Sequence, residues 1–320
     1  MLKKAEHFFY GLLYVDDRHN KHTNLKTRGV DPADIYLKCA ALCASSMAAN
    51  EHRFQLVTND AKVLRRRSID LGLQNLDIIE HSFKWTVPTG IPFYSAHFKL
   101  ELFEAFGTGY YGPNIGLIDI DTVLCRPLLL PPLSPGSLLA YDISDQSFPV
   151  HGAERVRADL ERVAGKALGK IRWFGGEFLL GDTIGFRRLS ELIAQCWPRY
   201  TAAITEFHHV SDEMTVSAAL NIASENGQAI VDAGPASSVI RWWSARTGYR
   251  QRPFRQARNH SLLHLPADKV FLSEFAAEPF EGSAFLSAYE GYVRKKLIAR
   301  NIYNELTGLL GRPKKFVGTI

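Results

Sequence analysis

Residues 116–124 read Gly-Leu-Ile-Asp-Ile-Asp-Thr-Val-Leu, and no other stretch of the chain limits its fold so strongly. An apolar run of this kind behaves as a strand buried in a sheet. Asp119 and Asp121 interrupt it one residue apart. An ionised aspartate is almost never fully buried without a paired charge or a metal. Two of them at the mouth of a core strand therefore ask for a cation. A hard divalent ion held by carboxylates and by substrate phosphates is the natural candidate.

The flanking sequence alternates strand and helix. Phe8–Val15 reads as a first strand, too short for a secretory signal and ended by Asp16-Asp17. Asp31-Pro32 opens a helix from about Ala33 to Ala49, with Asp31 as cap and Pro32 at the first helical position. Phe54–Thr58 and Leu76–Ile79 read as strands around a helix ending near Leu71, and Ser95–Phe106 as an amphipathic helix before the acidic strand. This order predicts an α/β fold, a mostly parallel sheet flanked by helices, with ligands beyond the carboxyl ends of the strands. Asp16, Asn59-Asp60 and the acidic pair all fall at such ends.

The second half predicts strands at Ser137–Tyr141, Glu177–Leu180, Ala229–Asp232 and Ser238–Trp242. Helices are expected over Glu154–Leu168, from Ile184 to about Trp197, and from Asp212 to about Ser224. Segments 142–152 and 243–260 read as variable loops able to shape an acceptor pocket. With 320 residues, 46% apolar and 22% charged, the chain has the composition of a globular protein. Its four cysteines form no Cys-x-x-Cys pair and suit reduced core thiols in a cytoplasmic compartment.

The net charge of +5 is concentrated in Tyr292–Ile320, where seven basic residues face one acid, Glu305. Leu297, Ile298 and Ile302 are interleaved, so residues 276–320 read as a basic amphipathic helical extension of a domain spanning 1–275. Such a helix suits peripheral contact with an anionic membrane; a solvated helix on the domain edge is the alternative. The basic residues do not alternate with aromatics, and no recognition motif argues for nucleic acid.

Three further groups bear on chemistry. His264, in Leu-Leu-His-Leu-Pro-Ala-Asp-Lys, is a candidate metal ligand, with Lys269 five residues on as a candidate phosphate contact. Gly175-Gly176 permits close backbone approach before Glu177. Ser211-Asp212-Glu213 is a helix N-cap with two acids in the first turn, which the helix dipole alone would explain.

These residues, in this order, resemble the GT-A nucleotide-sugar glycosyltransferases, closest to the retaining glycogenin-like and lipooligosaccharide galactosyltransferase-like group. The resemblance covers most of residues 8–270, and its specific element is the acidic strand. It implies Mn2+ or Mg2+ held by Asp119, Asp121 and His264. It implies donor contacts by Tyr14 and Asp16 near the base and ribose, and by Lys99, Asp119 and Lys269 near the phosphates. Asp212 matches the acid facing the transferred sugar; Glu177, Asp212 or Glu213 would serve as base in an inverting reaction. The donor implied is a UDP-sugar and the acceptor a glycan or lipid-linked glycan, in the synthesis of a bacterial surface polysaccharide. Two alternatives stay open. One is a haloacid dehalogenase-type phosphatase with Asp119 as nucleophile and Asp121 as acid/base. The other is an inactive GT-A-like binding subunit.

Overall fold

The computed structural model describes residues 7–16, 25, 29–73, 75–245, 247–275 and 279–309, with side chains as far as residue 300. In chain order, the first half comprises β1 (Phe8–Leu12), α1 (Pro32–Ala48), β2 (Arg53–Thr58), α2 (Ala61–Asp70), β3 (Ile78–Glu80), a 3-10 turn (Tyr94–Phe98), α3 (Lys99–Gly107), β4 (Asn114–Ile118) and β5 (Thr122–Leu124). Then come β6 (Leu138–Asp142), α4 (Ser144–His151), α5 (Ala153–Ala164), β7 (Phe174–Asp182), α6 (Thr183–Ala202) and α7 (Asp212–Glu225). The chain continues through β8 (Ile230–Asp232), β9 (Val239–Arg241), α8 (Phe254–Ala257), β10 (Leu262–His264), α9 (Lys269–Glu274) and α10 (Gly282–Leu309).

Seven strands form the central sheet in the order β3-β2-β1-β4-β7-β6-β8. All its pairs are parallel except the two made by β7, which runs antiparallel to β4 and β6. The α/β fold with a mostly parallel, helix-flanked sheet is the one expected from the sequence. Tyr10 packs on Phe106 of α3, while its strand neighbours Phe9 and Gly11 face the other side, where Gly11 leaves room for Phe54 and Ile120.

A second sheet has the order β5-β10-β9. Helix α1 lies between the two sheets and contributes to both cores: Leu37, Ala40, Cys43 and Met47 to the larger, Ile35, Cys39 and Leu42 to the smaller. Its start follows the sequence signal, with Asp31 accepting from the Ala33 amide ahead of Pro32. Ser46 Oγ accepts from the Leu124 amide at 3.0 Å, and Asn50 Nδ2 donates to Leu124 O at 3.1 Å, which fixes α1 to β5.

Several boundaries differ from expectation. Strand β1 stops at Leu12, and 95–106 divides into a 3-10 turn and α3. Gly175 and Gly176 lie inside β7 rather than before it. Segment 142–152 holds α4, and 243–260 holds the short α8; neither is wholly loop. Apolar periodicity is too weak in these short pieces to reveal a helix whose stability comes from packing. All four cysteines are buried and free.

Helix α10 lies over the smaller core through Phe285, Leu286, Tyr289 and Val293. Lys296, Tyr289 and Tyr292 hold the buried Asp268. Arg312, Lys314 and Lys315 lie outside the described residues. No helix among the described residues is long and apolar enough to cross a membrane. Gly282 begins α10 against the Cys125 carbonyl, and an added Cβ would sit 2.0 Å from that oxygen. Glycine-to-alanine in a helix ordinarily gains up to about 1 kcal/mol. Here overpacking against backbone reverses the sign, and Gly282→Ala is expected to lose about 1–3 kcal/mol. A urea melt showing equal or greater stability for the variant would contradict this packing.

Candidate active site

The register of the smaller sheet assembles the site. In β10, His264 is opposite Thr122 of β5, which follows Asp121 directly, and beside Arg241 of β9. The turn between β4 and β5 is fixed on both sides. The Asp119 amide donates to Glu177 O at 3.0 Å, Thr122 Oγ1 donates to Asp119 O at 2.7 Å, and the Leu265 amide donates to Asp121 O at 3.1 Å. Residues far apart in sequence thus meet at one point.

Each aspartate gives one oxygen to a lysine and turns the other toward the same imidazole nitrogen. Asp119 Oδ1 is 2.5 Å from Lys99 Nζ, and its Oδ2 is 3.7 Å from His264 Nε2. Asp121 Oδ2 is 2.6 Å from Lys269 Nζ, and its Oδ1 is 3.2 Å from His264 Nε2. Three potential ligand atoms, one from each of Asp119, Asp121 and His264, lie within 4.8 Å of one another. Behind the ring, Glu177 Oε1 faces His264 Nδ1 at 3.7 Å. That separation exceeds a hydrogen bond, but a carboxylate behind an imidazole is the arrangement that orients metal-ligating histidines.

The lysines orient carboxylates. Lys99 donates to Asp119 and to Gly176 O at 2.9 Å, and lies 3.5 Å from Asp212 Oδ2. Lys269 donates to Pro266 O at 2.9 Å as well as pairing with Asp121. Burial disfavours both ammonium charges, but the facing aspartates outweigh it and raise both lysines.

Arg241 organises the remaining acids. Its guanidinium reaches both oxygens of Glu177, one through Nε at 3.0 Å, and pairs with Glu213 Oε1 at 2.5 Å. Glu213 also accepts from Trp173 Nε1 at 3.0 Å and from the Gly176 amide at 3.1 Å. Burial would push both glutamates up, yet Arg241 holds both below the usual carboxylate range. An acid among apolar neighbours predicts a counter-ion somewhere, and the matching signal was an arginine inside the apolar strand Val239-Ile240-Arg241-Trp242.

Asp212 differs from the other acids. Burial raises its carboxyl to about 6 against the opposing pull of Lys99. Its Oδ2 makes no directed hydrogen bond among the described residues. The two glycines are required by these acids: a Cβ at Gly175 would lie 2.1 Å from Glu177 Oε2, and one at Gly176 2.7 Å from Asp212 Oδ2. Ser211 caps α7 as expected, accepting from the Glu213 amide.

The donor set fits a divalent cation. Asp119, Asp121, Glu177, Asp212 and Glu213 carry five carboxylates, and Lys99, Lys269 and Arg241 carry three permanent positive charges. With His264 neutral, two negative charges stay uncompensated in a mostly buried cluster. Burial alone would lower the His264 imidazole, but the Asp121 carboxylate, with Glu177 behind, raises it to about 9. The cluster thus draws positive charge to the point where the three ligand atoms converge.

Tyr14 and Asp16 follow β1, which ends at Leu12. Tyr14 stacks on Phe98 at 3.8 Å between ring centroids and adjoins Phe83 and Tyr94. Burial raises the Tyr14 and Tyr94 phenols, and nearby Asp16 adds to both shifts. Phe98 directly precedes Lys99, so this aromatic wall abuts the element that orients Asp119. Asn59 and Asp60 have structural duties: Asn59 exchanges two hydrogen bonds with the Val15 backbone, and Asp60 caps α2.

No protein-family model matches the chain, and no curated protein matches it. Among solved structures, one of an active-site mutant of LgtC is similar, with a TM-score of 0.46 and 12% identity over 84% of this chain and 97% of that one. The site is therefore defined by its own geometry: a mostly buried cluster of acids and bases converging on an Asp-Asp-His group able to hold a cation.

Proposed function

We propose that the chain is a metal-dependent GT-A-type glycosyltransferase that moves a sugar from a nucleotide-sugar donor, a UDP-sugar, to a glycan or lipid-linked glycan. The observation that carries this is the convergence of Asp119 Oδ2, Asp121 Oδ1 and His264 Nε2, with the outer aspartate oxygens held by lysines. Breaking the bond between sugar and diphosphate leaves negative charge on the departing phosphate, which a bound divalent cation would neutralise. A mixed oxygen and nitrogen set suits Mn2+ better than Mg2+, which prefers oxygen ligands.

The chain's own residues take distinct parts. Lys99 and Lys269 aim the aspartates and stand beside the donor phosphates. Tyr14 and its aromatic neighbours offer a flat wall for the nucleobase, with Asp16 beside the ribose. Asp212 faces the transferred sugar. Its Oδ2, which makes no directed hydrogen bond among the described residues, and its carboxyl raised to about 6 make it the acid best placed to take a proton in an inverting reaction. In a retaining reaction the departing phosphate takes that proton. Glu177 and Glu213, engaged by Arg241, shape the site. Residues 276–320 form a basic extension of the 1–275 domain; exposed Leu297 and Ile298 beside Arg294 and Lys295 suit contact with an anionic membrane.

The phosphatase reading needs Asp121 to carry and deliver a proton. Burial would favour that, but Lys269 and His264 outweigh it and hold this carboxyl well below the ordinary range. Its geometry suits a ligand and not an acid. The test is a panel of nucleotide sugars with Mn2+, read by thermal shift and by release of nucleoside diphosphate. Binding the native state at 100 times Kd adds about 2.7 kcal/mol of stability. Phosphate release from sugar phosphates would favour the phosphatase, and donor binding without turnover would favour the binding subunit.

A further inference from the structure

A second group of side chains lies beside the acidic cluster and has no part in the chemistry above. His208 and His209 precede α7, His151 ends α4, and Trp243 and Tyr249 belong to the loop after β9. Their rings adjoin: His151 and His208 at 4.7 Å between centroids, His151 and Tyr249 at 6.2 Å, and Trp243 stacked on Tyr249 at 5.7 Å. Phe93 completes the group, 5.7 Å from His209. The two segments whose sequence suggested an acceptor pocket thus meet each other here.

The group is held in place from behind. Gln251 brackets the Trp243 backbone, accepting from its amide at 2.9 Å and donating to its carbonyl at 2.8 Å. Phe93 has φ 51°, a left-handed conformation that bulky side chains seldom adopt. Buried His97 is 2.9 Å from the Phe93 carbonyl and 2.8 Å from Tyr200 Oη, which fixes that turn. Backbone held this way gathers at ligand sites.

Two polar atoms in the group lack hydrogen-bond partners among the described residues. His208 Nδ1 lies 2.6 Å from Asp159 Oδ2, so that nitrogen carries the hydrogen and Nε2 keeps its lone pair. The His208 side chain is only 6% exposed, yet Nε2 has no hydrogen-bond partner among the described residues. Trp243 Nε1, a donor, is likewise buried and without a partner there. Each unmade bond of this kind is destabilising. One acceptor and one donor set among flat rings complement a sugar, whose C–H faces stack on rings and whose hydroxyls both donate and accept.

The group also borders the proposed site of transfer. Glu213 Oε2 accepts from Trp173 Nε1 and lies 3.7 Å from His209 Nε2, while its Oε1 meets Arg241, the partner of Glu177 behind His264. We infer that this cluster of rings binds a pyranose unit of a saccharide acceptor, with one hydroxyl donating to His208 Nε2 and another accepting from Trp243 Nε1. The inference rests on the glycosyltransferase reading and assigns residues to its saccharide acceptor.

Saturation-transfer NMR on the full chain tests it, using the methyl glycosides of glucose, galactose, mannose and N-acetylglucosamine in the presence of EDTA. At least one glycoside should receive saturation, because the cluster needs no metal. His208→Asn keeps a donor toward Asp159 but lacks Nε2, and Trp243→Phe keeps a ring but lacks the donor. Each is expected to weaken that glycoside's Kd about tenfold. Should His208→Asn not fold, the milder Trp243→Phe decides. No saturation of any glycoside, or an unchanged Kd in a folded variant, overturns the inference. Manganese binding, measured separately on the wild-type protein, distinguishes the two readings. Saccharide binding without manganese binding supports the cluster and removes the donor site; manganese binding without saccharide binding does the reverse.

Discussion

Asp121→Asn is expected to lower manganese-dependent release of nucleoside diphosphate from a UDP-sugar by about 10²–10³-fold, the scale on which a positioned charge at a reacting phosphate acts. The substitution keeps the shape of the side chain but removes the charge that faces His264 Nε2 through Oδ1 and Lys269 through Oδ2. It should also abolish the rise in melting temperature that Mn2+ gives the wild type. Some global stability will be lost, because Lys269 is left buried beside a neutral amide and a buried ion pair missing one partner costs about 3–5 kcal/mol. The loss of the Mn2+-induced shift separates the two effects, since a merely weakened fold would still gain from the metal. A folded variant that keeps both manganese stabilisation and turnover would falsify the cation site.

Removing Arg241 should produce a large, pH-dependent loss of stability. Arg241→Met leaves Glu177 and Glu213 buried without the guanidinium that pairs with both. The expected cost at pH 7 is about 3–5 kcal/mol. The pH dependence follows in sign. Both glutamates have folded values depressed by Arg241, so their contribution in the wild type is present above the usual glutamate range and lost as pH falls through the lowered values. In the variant, burial acts unopposed by Arg241 and favours the neutral acids, so the deficit relative to wild type should narrow from pH 7 to pH 5. Urea melts at the two pH values measure this. Glu177→Gln and Glu213→Gln added to Arg241→Met should recover part of the loss at pH 7. A constant deficit across pH, with no recovery, would place the damage in packing instead of charge.

The architecture was legible because each signal is local. Strand β4 was expected at Asn114–Ile118 and is found there, since a short apolar run between turn residues has few other uses. The caps at Asp31 and Ser211 were legible for the same reason, as a side-chain oxygen satisfies amides only two residues on. The roles of individual acids were not. Glu177 and Glu213 look like bases in sequence, and only their shared contact with Arg241 shows that their oxygens are taken. Gly175 and Gly176, expected ahead of the strand as points of close backbone approach, lie inside β7 and leave space for two carboxylates.

The sequence alone determined the mostly parallel sheet, the order of elements along the chain and the need for positive charge at Asp119 and Asp121, because periodicity and the cost of burying charge act on neighbouring residues. The tertiary structure decided which oxygen faces which nitrogen, which lysine serves which aspartate, and which acid Arg241 does not reach. Those outcomes depend on the register of β10 between β5 and β9, where residues 122, 241 and 264 come side by side. A one-residue slip in that pairing would turn His264 to the opposite face and disperse the site.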